Sequence, residues 1–240
     1  MTYNIHHGAG LDGMMNVERI ADIICSNDAD LVAIQEIDSM TNRSGNIDVL
    51  KEIGKLTNLN FYFVPTIDFD GGRYGIGILS KEEPASIKHI ELPGREEPRA
   101  LLAADFEDFT FACTHLSLTR EDRKTSFGII RELVSDYNKP FILGGDFNSH
   151  PDELTSEAVA DDFTFLSVTE EKSFPADHPA ELLDYLVVNK PFQDNIEVIE
   201  TNVVPDTIAS DHRPVTVKLK LRKSSPAPIV QSSASDKTEQ

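Results

Sequence analysis

Phe141-Ile142-Leu143-Gly144-Gly145-Asp146-Phe147-Asn148 is the stretch around which this 240-residue chain is organised. Three apolar residues read as the end of a buried strand, and the two glycines let the backbone turn tightly without a Cβ clash. Asp146 and Asn148 follow on alternate positions, which at a strand end point to the same side. A carboxylate there can take a proton or hold a cation, and an amide can donate to an anionic oxygen or a water. That pairing suits attack of water on a phosphorus or carbonyl centre. Gly, Asp and Asn are also ordinary turn residues, so the stretch gains meaning only from company elsewhere.

The company is a series of polar residues at the ends of apolar strands. Asn4 follows Thr2-Tyr3, Glu36 follows Leu-Val-Ala-Ile-Gln, and His115 follows Phe-Ala-Cys-Thr. Asp184 sits within Leu-Leu-Asp-Tyr-Leu-Val-Val, and Asp211-His212 stands just before Arg-Pro-Val-Thr-Val. A polar residue in an apolar strand costs free energy unless it is paired, and these residues together with Asp146 and Asn148, eight in all, suggest one shared site where strand ends converge. Each has a plainer reading. Asn4 suits a turn or cap, Glu36 a salt bridge, His115 a satisfied half-buried histidine, and Asp211-His212 a loop. Asp184 between Leu183 and Tyr185 is the hardest to dismiss, because an unpaired carboxylate there is expensive.

The remaining pattern predicts a mixed α/β domain over residues 1–222. Strands are expected at 3–5, 31–37, 60–64, 74–80, 100–106, 109–116, 182–188, 196–203 and 215–221. Helices are expected after an N-cap at Asn16, over 47–56, after a Thr119/Asp122 capping box, and over 152–161. Residues 223–240 are small, polar and Pro-containing, and read as a disordered tail.

Composition narrows the functional classes. The net charge of −19 repels nucleic-acid backbones and anionic headgroups at long range, so long nucleic acid is disfavoured as a partner. No run of about 18 apolar residues spans a membrane. Cys25 and Cys113 lie in apolar periodic segments and read as buried free thiols. No signal peptide is visible, but the chain starts abruptly on a strand. That leaves room for upstream residues or an export signal and leaves the compartment open. Nothing calls for more than a monomer.

Taken together, Tyr-Asn-Ile at 3–5, Gln-Glu at 35–36, Thr-His-Leu at 114–116, Gly-Asp-Phe-Asn at 145–148, Leu-Asp-Tyr at 183–185 and Ser-Asp-His-Arg-Pro-Val at 210–215 resemble the endonuclease/exonuclease/phosphatase (DNase I-like) superfamily. Each piece is weak alone, but the ordered set over residues 2–217 is specific. The resemblance implies a four-layer α/β sandwich, two mixed β-sheets face to face with helices outside, and a site at one edge. It implies hydrolysis of a phosphoester by in-line attack of water, with Mg²⁺ as cofactor and Mn²⁺ as a substitute. Glu36 would be the main metal ligand, assisted by Asn4 and Asp211. Asp146 would orient or deprotonate the water, or hold a second metal, and Asn148 would donate to a phosphate oxygen. His212, fixed by Asp184, and His115 would face the phosphate from two sides. Tyr74 matches a phosphate-contacting tyrosine. Arg43 and Arg99 match arginines that could bind phosphate as a fork, although surface ion pairs explain them equally well.

The sequence also departs from the family pattern. His6 stands where some nuclease members carry a carboxylate, and Ile76 where some carry a polar group that orients the first histidine. No insertion rich in Lys, Arg and aromatics is present to grip DNA. The leading expectation is therefore a phosphomonoesterase or phosphodiesterase acting on a small-molecule or lipid phosphoester. A metal-dependent nuclease is the alternative among enzymes, and a non-catalytic binding protein on the same fold is the alternative of another class.

Overall fold

On strand β8 (Phe141–Asp146) successive side chains serve two different cores. Phe141 and Leu143 join a cluster with Phe127, Ile130, Tyr185 and Val187. Ile142 points the other way, into a cluster with Ala33, Ile78, Leu102, Cys113 and Leu186. This period of two, with both faces apolar, is what a sheet covered on both sides requires. The computed structural model describes residues 1–156, 159–167 and 170–222, so the expected tail lies outside the described residues.

Twelve strands in the described residues form two six-stranded sheets. The first has the order β11-β12-β1-β2-β4-β3 and the second β5-β6-β7-β8-β10-β9. The first sheet comprises β1 (Thr2–Asn4), β2 (Leu31–Ser39), β3 (Asn60–Phe69), β4 (Gly72–Ser80), β11 (Ile196–Val203) and β12 (Val215–Leu221). The second adds β5 (Ser86–Leu92), β6 (Arg99–Asp105), β7 (Thr110–His115), β9 (Phe163–Phe165) and β10 (Asp184–Asn189) to β8. Both sheets are mixed, since β1 runs parallel to β2 and β7 parallel to β8 while the other paired neighbours are antiparallel.

Helices α1 (Val17–Ser26) and α2 (Val49–Thr57) cover the outer face of the first sheet. Ile20, Ile24, Leu50 and Ile53 pack there on Tyr3, Ile34 and Leu79. Helix α3 (Arg120–Ser135) covers the second sheet through Phe127 and Ile130. The result is the four-layer α/β sandwich that the motifs implied.

The two glycines of β8 do something other than turn the chain. Both lie inside the strand, and neither is among the glycines with positive φ. A Cβ on Gly144 would stand 3.1 Å from Ala33 Cβ of the facing sheet, and one on Gly145 would collide with the Thr114 carbonyl oxygen. They permit close approach of sheet to sheet and strand to strand.

Other expectations need correction. Strand β5 lies outside the expected set, because most of Ser86–Leu92 is exposed and its alternation is broken by Lys88 and His89. The three-residue β9 is too short to show a period. The helix expected over 152–161 appears as α4 (Pro151–Ser156) and α5 (Val159–Asp162). Asn16 does cap α1, accepting from Arg19 N at 2.9 Å. Thr119 makes no side-chain cap bond, and Asp122 instead accepts from Arg95 Nε and Nη2 at 3.1 and 3.0 Å. Cys113 is buried, but Cys25 is exposed at the end of α1.

Candidate active site

Strand register assembles the centre of the site. In the second sheet His115 ends β7, Asp146 ends β8 and Asp184 begins β10, and the pairing sets His115 and Asp184 on either side of Asp146. Three residues separated widely in sequence thus form one cross-strand row. All three are buried, at 7%, 2% and 0% exposure respectively. The row faces Asn4, which ends β1 of the first sheet. Asn4 Nδ2 donates to Asp146 Oδ2 at 3.1 Å and to Glu36 Oε1 at 3.0 Å.

Glu36 reaches this place through a bulge. Strict alternation along β2 would turn Glu36 outward with Val32 and Ile34. The register with β4 shifts between Ile34 and Ile37, and Glu36 itself has φ 59°. The extra residue re-aims the carboxylate toward the strand ends, while Ile37 takes the helix-facing position. β2 also runs on to Ser39 rather than ending at Gln35-Glu36.

His212 arrives on the loop before β12, held by its N–H on Ser210 Oγ, which in turn donates to the Asn4 carbonyl at 2.8 Å. Its Nδ1 lies 2.8 Å from Asp184 Oδ2. Its Nε2 lies 3.7 Å from Asp146 Oδ2, and His115 Nε2 lies 3.6 Å from the same oxygen. Burial opposes a charge on His212, but Asp184 and Asp146 outweigh it and push the imidazole up to about 10. Burial, with the charges of Arg99 and His212, holds His115 well below the usual histidine range, so it is neutral. Burial pushes Asp146 up to about 7, against the pull of His212; a cation bound beside it would favour the ionised form.

Asn148 is near but oriented differently from expectation. The strand ends at Asp146, and Asn148 has φ 48°, so the period of two no longer applies. Its N–H donates to Asp146 Oδ1 at 2.9 Å and its Nδ2 to the Leu116 carbonyl at 2.9 Å. Phe147 between them is buried against Phe127 and Tyr185, with ring centroids 5.7 and 5.2 Å apart. This aromatic anchor fixes the turn that carries the acid and the amide.

Arg43 makes a fork with the fully buried Asp38, from Nε at 2.6 Å and Nη2 at 2.8 Å, and its guanidinium lies 4.4 Å from the Phe69 ring centroid and 5.8 Å from that of Tyr74. Arg99 is buried and paired with Glu96 at 3.1 Å and Glu97 at 2.8 Å. Both arginines therefore have carboxylate partners. Burial and the charges of Glu36 and Glu97 raise the Tyr74 phenol above its usual range, which keeps it a neutral donor beside these groups. His6, standing in place of a carboxylate, contributes its backbone N–H to Asn4 Oδ1 at 3.1 Å.

Several neighbours escaped the sequence reading. His7 has φ 50° and feels the charges of Arg43, Asp38 and Asp211. Asp38 lies two residues after Glu36, and its pairing with Arg43 follows the register shift in β2. Ser173 donates to Asp184 Oδ2 at 2.6 Å, and Phe174 packs on the His212 ring at a centroid distance of 4.6 Å. Nothing in Lys172-Ser173-Phe174-Pro175 signals either contact.

Two sets of side chains bear on metal binding. Asp146, Asp184 and His212 each offer an atom within 4.8 Å of the others, but His212 Nδ1 is already committed to Asp184. Glu36 and Asp211, both only partly buried, are hard oxygen donors, the type that Mg²⁺ prefers. Asn4 turns its NH₂ rather than its oxygen toward the acids, so it bridges Glu36 and Asp146 instead of offering them a third oxygen.

The family model for the endonuclease/exonuclease/phosphatase family matches residues 1–212, and the chain belongs to that family. The family embraces metal-dependent phosphoesterases and nucleases. Among solved structures, an endonuclease/exonuclease/phosphatase from Beutenbergia cavernae DSM 12333 superposes with a TM-score of 0.73 at 21% identity, covering 92% of this chain and 70% of that one. A mannosyl-6-phosphatase of Bacteroides thetaiotaomicron VPI-5482 gives 0.71 at 17% identity, covering 92% and 98%. The human Nocturnin catalytic domain with bound sulfate gives 0.67 at 16%, covering 91% of each. At these identities the likeness is one of fold. No curated protein sequence matches the chain. No helix of the described residues is long and apolar enough to cross a membrane.

Proposed function

We propose that the protein is a metal-dependent phosphoesterase that hydrolyses a small-molecule or lipid phosphomonoester or phosphodiester by in-line attack of water. The observation that carries this reading is the convergence of His115 Nε2 and His212 Nε2 on Asp146 Oδ2, at 3.6 and 3.7 Å, with Asp184 behind His212. Both contacts exceed hydrogen-bond length, and they bring an acceptor carboxylate and two imidazoles to one place.

In this reading Asp146 orients the attacking water and takes its proton at Oδ2. His212 is held by Asp184 with Nδ1 as donor, so its Nε2–H is presented to a phosphate oxygen whose charge grows in the transition state. Neutral His115 offers a second donor from the opposite side. One N–H of Asn148 holds Leu116 O, and the other is assigned to a phosphate oxygen. Tyr74 and Arg43 line the outer side, where the remainder of the substrate would lie. Glu36 and Asp211 would hold the cation, Mg²⁺ or Mn²⁺, with Asn4 setting the Glu36 carboxylate. When bound, the cation supplies charge neutralisation at the phosphate.

The net charge of −19 favours a compact substrate over a nucleic-acid duplex. The test is hydrolysis of bis-p-nitrophenyl phosphate and p-nitrophenyl phosphate with Mg²⁺, Mn²⁺ or EDTA. Turnover with metal and none with EDTA is expected, and the ratio of the two rates tells diester from monoester preference. Metal-independent turnover would overturn the reading.

A further inference from the structure

Asp184 concentrates its hydrogen bonding on one oxygen. Oδ2 accepts from Ser173 Oγ at 2.6 Å and lies 2.8 Å from His212 Nδ1, whereas Oδ1 is buried with no hydrogen-bond partner among the described residues. The direction of the Ser173 hydroxyl is dictated by its surroundings. Leu183 N–H donates to Ser173 Oγ at 3.3 Å, which leaves the hydroxyl proton for Asp184. Ser173 is itself completely buried, and its backbone is fixed at both ends: its N–H donates to Glu181 O at 2.9 Å, and its carbonyl accepts from Arg213 N at 2.7 Å.

The same short segment grips His212 by three further contacts. The Phe174 ring packs against the imidazole at 4.6 Å between centroids. Ala176 N–H donates to the Asp211 carbonyl at 2.7 Å, and Arg213 Nε donates to the Ala176 carbonyl at 2.7 Å. Residues 173–176 thus hold the main chain on both sides of His212 and the carboxylate behind it.

We infer that Ser173 is a positioning residue for the reaction, fixing through its hydroxyl which Asp184 oxygen faces His212 and so where His212 Nε2 points. The inference rests on the function proposed above. Without the hydroxyl, the Asp184 carboxylate can rotate to share its two oxygens, and the imidazole loses its fixed aim. A misaimed donor lowers the rate at the chemical step and leaves ground-state binding unchanged.

The experiment compares wild type, Ser173→Ala, Asp184→Asn and the double variant, all as full chains. On bis-p-nitrophenyl phosphate with Mg²⁺, Ser173→Ala should lower kcat about ten-fold, the size of one net hydrogen bond, with KM unchanged. In the Asp184→Asn background the same substitution should change kcat by less than about two-fold, because its route to His212 is gone. An effect of equal size in both backgrounds, or one carried by KM, overturns the inference. A second readout does not depend on turnover. The low-field proton resonance of His212 Nδ1–H, identified by its loss in His212→Ala, should shift or broaden in Ser173→Ala, and an unchanged signal overturns the inference. An inactive wild type whose resonance responds in this way would fail the phosphoesterase reading while sustaining the positioning role. Should Ser173→Ala not fold, Ser173→Cys, with its weaker donor, is read in the same way.

Discussion

Asn4 Nδ2 and Asp146 Oδ2 meet at 3.1 Å across 142 residues of chain, one from each sheet of the sandwich. The contact joins the facing sheets at the edge that carries the candidate site and also holds Glu36, whose Oε1 lies 3.0 Å from the same nitrogen. A single amide thus satisfies two carboxylates that would otherwise repel each other.

Asn4→Asp removes this donor and sets a third carboxylate against the other two. The expected cost in urea unfolding at neutral pH without metal is about 2–4 kcal/mol, the range for breaking a buried charged contact. Added Mg²⁺ should restore part of it. A wild-type midpoint in metal-free buffer would show that the bridge is not structurally important.

His212→Ala and Asp146→Ala remove the two groups on which the proposed chemistry turns. Each variant should fold, judged by near-ultraviolet circular dichroism, and lose at least about 10³-fold in kcat/KM. Retention of most activity by either variant would remove that residue from the mechanism.

Glu36→Gln keeps the shape of the side chain and removes its charge. The expected change is a right shift of about ten-fold or more in the Mg²⁺ concentration giving half-maximal rate, with the plateau affected less. An unchanged metal titration would place the cation elsewhere, with the Asp146–Asp184–His212 group as the next candidate.

His7 gives a pH signature in stability. Burial and the nearby charges of Arg43 and His6 depress its imidazole from 6.5 to about 4, so the folded state resists a proton that the unfolded chain accepts. The stability it contributes is complete above pH 6.5 and is lost as pH falls toward about 4. His7→Asn keeps a residue tolerant of the left-handed backbone and removes the titration. The stability difference between wild type and variant should therefore shrink by on the order of 1 kcal/mol between pH 7 and pH 4, after allowance for solvent screening. Denaturant unfolding at several pH values measures it, and a constant difference would contradict the assignment.

Much of this protein was readable along the chain. The apolar run Phe141–Leu143 and the helical spacing of apolar residues in α1, α2 and α3 pointed to buried strands covered by helices, because period and hydrophobicity are local properties of the sequence. The expensive placement of Asn4, His115, Asp146 and Asp184 in apolar strands also marked them as a group, since burial of polar atoms demands partners.

Contacts between segments were not readable, because they depend on register and on where the strands stop. The pairing of β7, β8 and β10 put His115, Asp146 and Asp184 in one row. A bulge turned Glu36 from the helix side to the strand ends, and a left-handed residue turned Asn148 away from the expected line. Gly144 and Gly145 looked like a turn and are instead points of close approach, a distinction that only neighbours from Ala33 and Thr114 can make. Ser173 carries no local signal at all, and its role exists only because Leu183, Asp184 and His212 surround its hydroxyl. Composition and periodicity dictate which side chains need partners; the folded chain supplies those partners, since a hydrogen bond is set by distances of a few ångströms that chain order does not encode.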